Sequence, residues 1–274
     1  MSDKLTIDWC GREIAIEYRW ISASDAGNAV DRVNVDDTNT EQPIMVFLHE
    51  GLGSVSLWKD FPEQLCTHLG MRGLVYSRPG YGKSTPRSTD EHWAPDFMHR
   101  QAYEVLPMLL AQLNVQNPWL FGHSDGASIA LLYAAKFPAA LKGAIVVAPH
   151  LFVEGISIQS IRHAREAYLR HGLRERLARH HDDVDSAFFG WNDIWLSEGF
   201  KDWNIEAVIP SIRCPLLALQ GAQDEYGSLA QIMRIRELLP AAEVITLANC
   251  GHSPHRDQAA ELIAAVTTFI PREQ

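Results

Sequence analysis

The sequence predicts an α/β protein built on a parallel sheet with helices on both faces. Short apolar runs alternate with helical patterns along most of the chain, which is the arrangement of successive βαβ units. The runs are apolar throughout, as in Ile44–Leu48, and this is typical of strands buried on both faces. A third observation is Ser124, a serine with glycines two positions to either side, between one such run and a helical segment.

The predicted elements follow in chain order. Residues 5–21 alternate partly and predict two strands around a turn at Cys10–Arg12. Residues 22–42 are polar and predict a long exposed excursion, for which the sequence indicates no function. Further strands are predicted at 44–49, 73–77, 118–121, 141–149, 214–221 and 243–248. Helices are predicted at 57–69, 97–113, 127–136, 228–238 and 256–269.

A segment between two of these strands breaks the alternation. Residues 158–180 are helical and densely charged, whereas 184–204 are rich in Phe and Trp. Because the segment follows one strand and precedes the next, we expect it over the C-terminal edge of the sheet, where open α/β proteins bind ligands. Most of its aromatic residues should attach it to the main domain, and two or three should wall a mostly apolar pocket. The predicted domains are a core of 1–151 and 208–274 and a helical cap of 152–207.

Composition limits the partners of the protein. The chain has 274 residues, a formal net charge of −10 and no block of Lys or Arg, so we expect neither nucleic acid nor a membrane as a partner. No apolar run approaches the ~20 residues of a membrane span, and the first residues show no signal peptide. The histidines lack metal-ligand spacing, and we expect no metal and no cofactor.

The cysteines predict the compartment. Four are scattered without Cys-x-x-Cys or metal-ligand spacing, and each is flanked by residues typical of a core. We therefore expect buried free thiols and a cytoplasmic location. The four are Cys10, Cys66, Cys214 and Cys250.

The segment Leu120–Ala127 predicts a nucleophile. It reads Leu-Phe-Gly-His-Ser-Asp-Gly-Ala, with an apolar run before it and a helical run after it. Glycines around Ser124 allow strand and helix to pack closely about a strained turn. The turn exposes the hydroxyl at a helix N-terminus, where developing negative charge is stabilised. Ser124 is therefore the predicted nucleophile.

A serine nucleophile needs a base, and the base needs an acid that orients it. Asp224 follows one predicted strand and His252 follows the last one. The order serine, acid, histidine along the chain is the one that accompanies this type of turn. Two neighbours are alternatives. Glu225 adjoins Asp224, but Asp224 fits the turn after the strand better, and His255 would already lie at the start of a helix.

The oxyanion of the transition state needs backbone N–H donors rather than particular side chains. One donor is expected from Asp125, at the start of the helix after Ser124. The other is expected from the turn after the strand at 44–49, with Gly51 as first choice and Leu52 in reserve. For the substrate pocket we predict Leu52, His150, Trp191 and Trp195.

Five short motifs occur in order along nearly the whole chain: Phe47–Gly51, Tyr76–Ser84, Gly122–Gly126, Gly221–Asp224 and Cys250–His252. Together they resemble the α/β-hydrolase fold superfamily. The resemblance implies a mostly parallel eight-stranded sheet, a cap after the sixth strand, and a serine acyl-enzyme mechanism that uses the residues named above. One position departs from the pattern, because Glu50 follows His49 where the family usually has glycine.

The predicted function is hydrolysis of a carboxylic ester in a small, largely apolar molecule. Serine at the turn argues against haloalkane dehalogenases and epoxide hydrolases, whose relatives use aspartate there. Carbon–carbon bond hydrolases of aromatic meta-cleavage pathways are the first alternative. They typically show Gly-Asn-Ser-Met-Gly and a Trp after the catalytic His, where this chain has His123, Asp125 and Ser253. A non-catalytic ligand-binding protein on the same fold is an alternative of another class. The sequence leaves the oligomeric state open, a homo-oligomer included.

Overall fold

The structure is a computed structural model that describes residues 2–22, 42–88 and 90–270. The polar excursion predicted at 22–42 lies almost entirely outside these residues. The described residues form one eight-stranded sheet with helices on both faces, so the predicted α/β fold class is confirmed.

The strands are β1 (Asp3–Trp9), β2 (Arg12–Ile21), β3 (Ile44–Leu48), β4 (Arg72–Tyr76), β5 (Trp119–His123), β6 (Gly143–Val147), β7 (Leu216–Gly221) and β8 (Glu243–Leu247). The helices are α1 (Phe61–Leu69), α2 (Phe97–Arg100), α3 (Leu106–Gln112), α4 (Asp125–Lys136), α5 (Gly155–Arg170), α6 (Leu173–Leu177), α7 (Val184–Trp195), α8 (Ala230–Leu238), α9 (Pro254–Asp257) and α10 (Ala259–Phe269). A π-helical turn, Gln101–Val105, joins α2 to α3, and 3₁₀ turns occupy Glu198–Phe200 and Glu206–Ser211.

The strand order in the sheet is β1-β2-β4-β3-β5-β6-β7-β8. β1 and β2 form an antiparallel pair, and β2 is antiparallel to β4. All neighbours from β4 to β8 are parallel. Parallel strands end at the same edge, so the loops that follow β3, β5, β6, β7 and β8 meet there. This is the edge at which open α/β sheets bind ligands.

Two apolar cores explain why the strand sequences are apolar throughout. In β3, Val46 and Leu48 pack into the core on the side of α4, whereas Met45 and Phe47 pack into the core on the side of α1 and α10. Successive side chains of a strand point to opposite faces, so a strand between two helical layers needs apolar residues at every position.

Two of the differences between the observed and the sequence-based element boundaries have a clear local cause. α1 begins at Phe61, and not at residue 57, with Pro62 in its first turn, where proline needs no N–H partner. The helix predicted at 256–269 is divided at Gln258, whose non-helical backbone (φ −146°, ψ 57°) separates α9 from α10. The helix predicted at 97–113 is continuous apart from its central π turn.

The prediction of four buried thiols is wrong for two cysteines. Cys66 and Cys250 are buried, but Cys10 is exposed and Cys214 is only partly buried. Cys10 lies in the tight turn between β1 and β2 with φ at +58°, where Trp9 before it packs inward but Gly11 and Arg12 after it are exposed, as the turn projects into solvent. All four are free.

Two further observations concern the described residues alone. None of their helices combines the length and the apolar character that a membrane crossing requires. Within the same residues, no group of three or more His, Cys, Asp and Glu side chains is arranged to hold a metal ion. The helices α5, α6 and α7 lie between β6 and β7, in the segment predicted as a cap, and the proposed limits of that cap stay a prediction.

Candidate active site

Ser124 lies at the turn between β5 and α4. Its backbone has φ +54° and ψ −121°, a conformation that costs a non-glycine residue about 1–3 kcal/mol. A Cβ on Gly126 would lie 2.1 Å from the carbonyl oxygen of Leu48, and one on Gly122 would lie 2.4 Å from the carbonyl oxygen of Gly126. Glycine is therefore required at both positions for strand, turn and helix to pack together, as the sequence predicted.

Ser124, His252 and Asp224 form a continuous line of hydrogen bonds. The Nε2 atom of His252 is 2.9 Å from Oγ of Ser124, and its Nδ1 atom is 2.8 Å and 2.9 Å from the two carboxylate oxygens of Asp224. A carboxylate only accepts, so Nδ1 carries the proton and Nε2 accepts the proton of the serine hydroxyl. The structure thus brings together the three residues predicted as nucleophile, base and acid.

Asp224 is held in place by several donors besides His252. Its Oδ1 accepts from the N–H groups of Tyr226 (2.8 Å) and Gly227 (3.2 Å), and its Oδ2 accepts from Nε2 of Gln220 (3.1 Å). Burial acts to raise the pKa of Asp224, but the hydrogen bond and charge of His252, with the Tyr226 N–H, lower it overall. The acid is therefore ionised and fixed in position.

The two alternatives weighed from the sequence occupy other places. Oε2 of Glu225 accepts a hydrogen bond from the backbone N–H of His252 at 3.2 Å, so it contacts the base only through its main chain. His255 lies in α9, and its ring packs against Trp58 (5.1 Å between centroids) and His123 (4.8 Å). Burial lowers the pKa of His255 to about 3.

The loop after β3 is fastened through the carbonyl group of Glu50. This oxygen accepts from Nδ1 of His49 (2.7 Å), Nη2 of Arg78 (2.8 Å) and the N–H of Gly53 (3.1 Å). In a trans peptide the C=O and the following N–H point in opposite directions, so the N–H of Gly51 points away from these three donors. No acceptor within the described residues bonds to that N–H. The N–H of Gly51 is thereby left without a partner among these residues, and its role as an oxyanion donor stays a prediction.

The indole of Trp191 from α7 covers Gly51. A Cβ at this position would lie 2.1 Å from Nε1 of Trp191, so only glycine fits beneath the ring. Trp195, one helical turn further, donates from Nε1 to Oδ1 of Asp125 at 3.2 Å. Both predicted pocket tryptophans thus contact residues predicted to bind the oxyanion.

Asp125 and Arg78 form a buried pair behind Ser124. Asp125 is 0% exposed and Arg78 is 1% exposed, and Nη2 lies 3.9 Å from Oδ2. Burial raises the pKa of Asp125 to about 6, against the opposing effects of Arg78 and the Trp195 hydrogen bond. The carboxylate is turned toward Arg78 and Trp195, which leaves the N–H of Asp125 as the group available at the start of α4.

Several residues of the site were not assigned a role from the sequence. His49 is neutral, because Nδ1 donates to a carbonyl and Nε2 accepts from the N–H of Arg78 at 3.0 Å, and burial holds its pKa well below the ordinary range. His181 accepts from the N–H of Gly82 (2.9 Å) and donates to the carbonyl oxygen of Leu52 (3.0 Å). A charged or imidazole side chain directly after an apolar strand is a feature that could have identified His49 and Arg78 from the sequence. His181 does not follow a strand, so this feature could not have identified it.

Glu50, the residue that departs from the family pattern, faces His123. Its Oε2 lies 3.7 Å from Nδ1 of His123, and Nε2 of His123 donates to the carbonyl oxygen of His252 at 2.7 Å. Burial acts to raise the pKa of Glu50, but His123, together with His49 and His255, holds it well below its usual range. The carboxylate is thus ionised and linked through His123 to the main chain of the base.

The remaining predicted pocket residues are Leu52 and His150. Leu52 is partly buried in the loop after β3. His150 follows β6 and places its Nε2 atom 3.4 Å from Oγ of Ser124, with its ring 4.9 Å from that of Trp195. His150 therefore contacts the nucleophile, Trp191 and Trp195 contact Gly51 and Asp125, and contact of the four predicted pocket residues with a substrate stays a prediction.

The fold and the arrangement at Ser124 define the class of protein. A model of the alpha/beta hydrolase family matches residues 45–266, and the chain belongs to this family. The resemblance inferred from the five sequence motifs is thereby confirmed.

Particular relatives are distant. The chain is 25% identical to the sn-1-specific diacylglycerol lipase ABHD11 of Mus musculus, over 94% of this chain and 93% of the mouse protein. It is 30% identical to a 2-succinyl-6-hydroxy-2,4-cyclohexadiene-1-carboxylate synthase of Escherichia coli, over 84% and 85% of the two chains. Among solved structures, a carboxylesterase of Nitrososphaera gargenis matches with a TM-score of 0.73 at 17% identity, covering 97% of each chain. The enol-lactonase of Burkholderia xenovorans matches with a TM-score of 0.69 at 18% identity, covering 97% of this chain and 99% of the other. These two structures share the fold.

Proposed function

We propose that this alpha/beta hydrolase is a serine hydrolase that cleaves a carboxylic ester of a small, largely apolar molecule through an acyl-enzyme. The observation that carries the proposal is the line of hydrogen bonds from Ser124 through His252 to Asp224, at a strained turn between strand and helix. Relatives named as a lipase, a carboxylesterase and an enol-lactonase support the same chemistry.

The proposed reaction begins with attack by Ser124. His252 takes the proton of the hydroxyl at Nε2 while Oγ bonds to the ester carbonyl carbon, and the carbonyl electrons move to its oxygen. The N–H groups of Gly51 and Asp125 stabilise that oxyanion. The intermediate collapses, and the alcohol leaves with the proton from His252. Water then attacks the acyl-enzyme with His252 as base, and the acid product leaves Ser124.

The segment at 152–207 is proposed to be the cap that determines the substrate. Its helix α7 supplies Trp191 and Trp195, the two indoles over Gly51 and Asp125. The triad lies beneath it, with Ser124 6% exposed and His252 8% exposed. An apolar wall and a nearly covered nucleophile favour a small apolar substrate.

Labelling with a fluorophosphonate tests the nucleophile. The wild-type protein should form a covalent adduct at Ser124, Ser124→Ala should form none, and Ser197→Ala in the cap should label like the wild-type. Hydrolysis of 4-nitrophenyl esters should fall by at least about 10³ in Ser124→Ala, since the nucleophile is lost. An unlabelled wild-type protein would favour the non-catalytic ligand-binding alternative.

The same protein, assayed on esters of graded acyl length and on a meta-cleavage product, separates the two enzymatic alternatives. We expect turnover of short or medium esters and none of the meta-cleavage product. The reverse result would assign carbon–carbon bond hydrolysis. A cytoplasmic location stays a prediction. The oligomeric state, which the sequence leaves open, can be measured by size-exclusion chromatography with light scattering.

A further inference from the structure

A second histidine contacts the predicted nucleophile. Nε2 of His150 is 3.4 Å from Oγ of Ser124, while Nε2 of His252 is 2.9 Å from the same atom. β3 and β6 are the two neighbours of β5 in the sheet, so His150 flanks Ser124 on the side opposite to the loop of Gly51. A histidine here is separate from the oxyanion site and from the Asp224–His252 pair.

His150 is rigidly placed. Its N–H donates to Oγ of Ser128 at 3.0 Å, and its carbonyl oxygen accepts from the same hydroxyl at 2.7 Å, which ties the loop after β6 to α4. The side chain is 3% exposed and packs edge-on against Trp195. The imidazole is therefore held toward Ser124 without a solvent-exposed alternative.

The proton of His150 belongs on Nε2. The Nδ1 atom is buried, and among the described residues it has no hydrogen-bond partner. A buried N–H without an acceptor is rarer and more costly than an unused acceptor, so Nδ1 carries the lone pair. Since the hydroxyl proton of Ser124 is directed at His252, a lone pair of Oγ remains for the Nε2–H of His150.

His150 is also neutral. Burial and the neighbouring His252 lower its pKa to about 3. A neutral imidazole donates a hydrogen bond without becoming a competing acid, which is how neutral histidines polarise oxygen atoms in other enzymes.

We propose that His150 is a further catalytic residue, which donates from Nε2 to Oγ of Ser124 and promotes release of that atom from the acyl-enzyme. The proposal rests on the acyl-enzyme mechanism proposed above. In deacylation the bond between the acyl carbon and Oγ breaks, its electron pair moves to Oγ, and His252 returns the proton it took from water. The hydrogen bond from His150 stabilises the negative charge on Oγ during this step, and His150 itself gives up no proton.

Acylation should gain less from this donor. Formation and cleavage of the bond to Oγ pass through the same kind of transition state, but the two starting states differ. In the free enzyme the hydroxyl oxygen already lies within reach of the His150 donor, whereas Oγ of the acyl-enzyme is an ester oxygen and a weak acceptor. The hydrogen bond should therefore strengthen mainly during deacylation, and this asymmetry distinguishes His150 from a residue that merely supports the site.

Stopped-flow kinetics with 4-nitrophenyl acetate separates the two steps. His150→Phe keeps a ring and removes the donor, whereas His150→Gln keeps an N–H donor that does not titrate. In His150→Phe we expect acylation within about threefold of wild-type and deacylation about tenfold slower, as for loss of one hydrogen bond. The acetyl-enzyme should accumulate, visible by mass spectrometry, and His150→Gln should recover most of the deacylation rate. His163→Phe, at an exposed histidine, is the control.

Equal slowing of both steps, unchanged deacylation in His150→Phe, or failure of His150→Gln to recover the rate would each overturn the role of His150. If His150→Phe does not fold by circular dichroism, His150→Met serves as the variant without a donor. Absence of both ester turnover and fluorophosphonate labelling in the wild-type protein would overturn the proposed function as well, whereas the other outcomes leave it standing.

Discussion

The two sides of the Ser124 turn are built in different ways. On the side of β7 and β8, side chains are aligned directly, because His252 bonds to both Asp224 and Ser124. On the side of β3, a backbone loop is held from below by His49 and Arg78, which both donate to the carbonyl oxygen of Glu50. The first side depends on the identity of two side chains, while the second depends on the conformation of one peptide and on the space above it.

Loss of the acid on the side of β7 and β8 should reduce kcat more than any other change considered for the two sides. In Asp224→Asn the amide cannot accept the Nδ1 proton in the same way, so His252 takes the wrong tautomer and kcat should fall by about 10⁴. Steady-state kinetics on a 4-nitrophenyl ester measures this. Glu225→Gln is the matched variant. It touches only the main chain of His252 and should lose less than about tenfold. An equal loss in both variants would contradict the assignment of Asp224.

Substitution at the oxyanion loop should come next. In Gly51→Ala the new Cβ meets Trp191, and either the loop or α7 must shift. We expect kcat to fall by about 10²–10³, the effect of losing one oxyanion donor. Gly155→Ala is the control, since nothing lies within 4 Å of a Cβ there. Adding Trp191→Ala to Gly51→Ala should restore part of the activity if the clash is the cause.

The charge of Glu50 should have a smaller effect. Glu50→Gln removes the carboxylate that faces His123 and keeps the shape of the side chain. Because the pair is partly exposed, with Glu50 at 28%, we expect a loss of about 1 kcal/mol, or roughly fivefold in kcat. Glu13→Gln on the exposed surface should show no change. A double-mutant cycle with His123→Asn measures the coupling, and zero coupling would show that Glu50 acts alone.

The buried histidines should make the folded protein less stable as the pH decreases below about 6.5. Burial lowers the pKa values of His150, His181 and His255 to about 3, 4 and 3, whereas the unfolded chain protonates histidine near 6.5. Their contribution is complete above about pH 6.5 and is lost as the pH falls toward the folded values, by about 1.4 kcal/mol per pH unit for each. Asp125 acts in the opposite direction. Because its pKa is raised to about 6, the folded protein binds a proton there at a higher pH than the unfolded chain does, which adds stability as the pH falls below about 6.

His181→Gln tests one of these histidines. The amide can accept from Gly82 and donate to Leu52 as the imidazole does, but it does not titrate. Urea unfolding between about pH 4.5 and 6 should therefore show a pH dependence smaller by about 1.4 kcal/mol per pH unit than in the wild-type. His163→Gln, at an exposed histidine, should leave the slope unchanged. An unchanged slope in His181→Gln would contradict a neutral His181.

Much of the fold was predictable from local pattern. Strands such as β3 are apolar at every position because each face packs into a core, and such a continuous apolar run is visible in the sequence without a structure. Cys10 and Cys214 show the limit of such local patterns, because both were predicted to be buried, whereas Cys10 is exposed and Cys214 is only partly buried. Flanking residues do not say whether a short turn such as that of Cys10 projects from the sheet.

By itself, the sequence determined the sheet, the turn at Ser124, and the choice of Asp224 and His252, because each follows a strand in a fixed order and parallel strands end at one edge. The sequence also named His150 for the pocket, but only the tertiary structure decided which atoms His150 and Glu50 contact. His150 and Glu50 are 26 and 74 residues from Ser124, and the residues they contact lie on separate elements, Ser128 on α4, Trp195 on α7 and His123 at the end of β5. Contacts of this kind depend on how β3, β5 and β6 lie side by side, which a linear pattern does not encode.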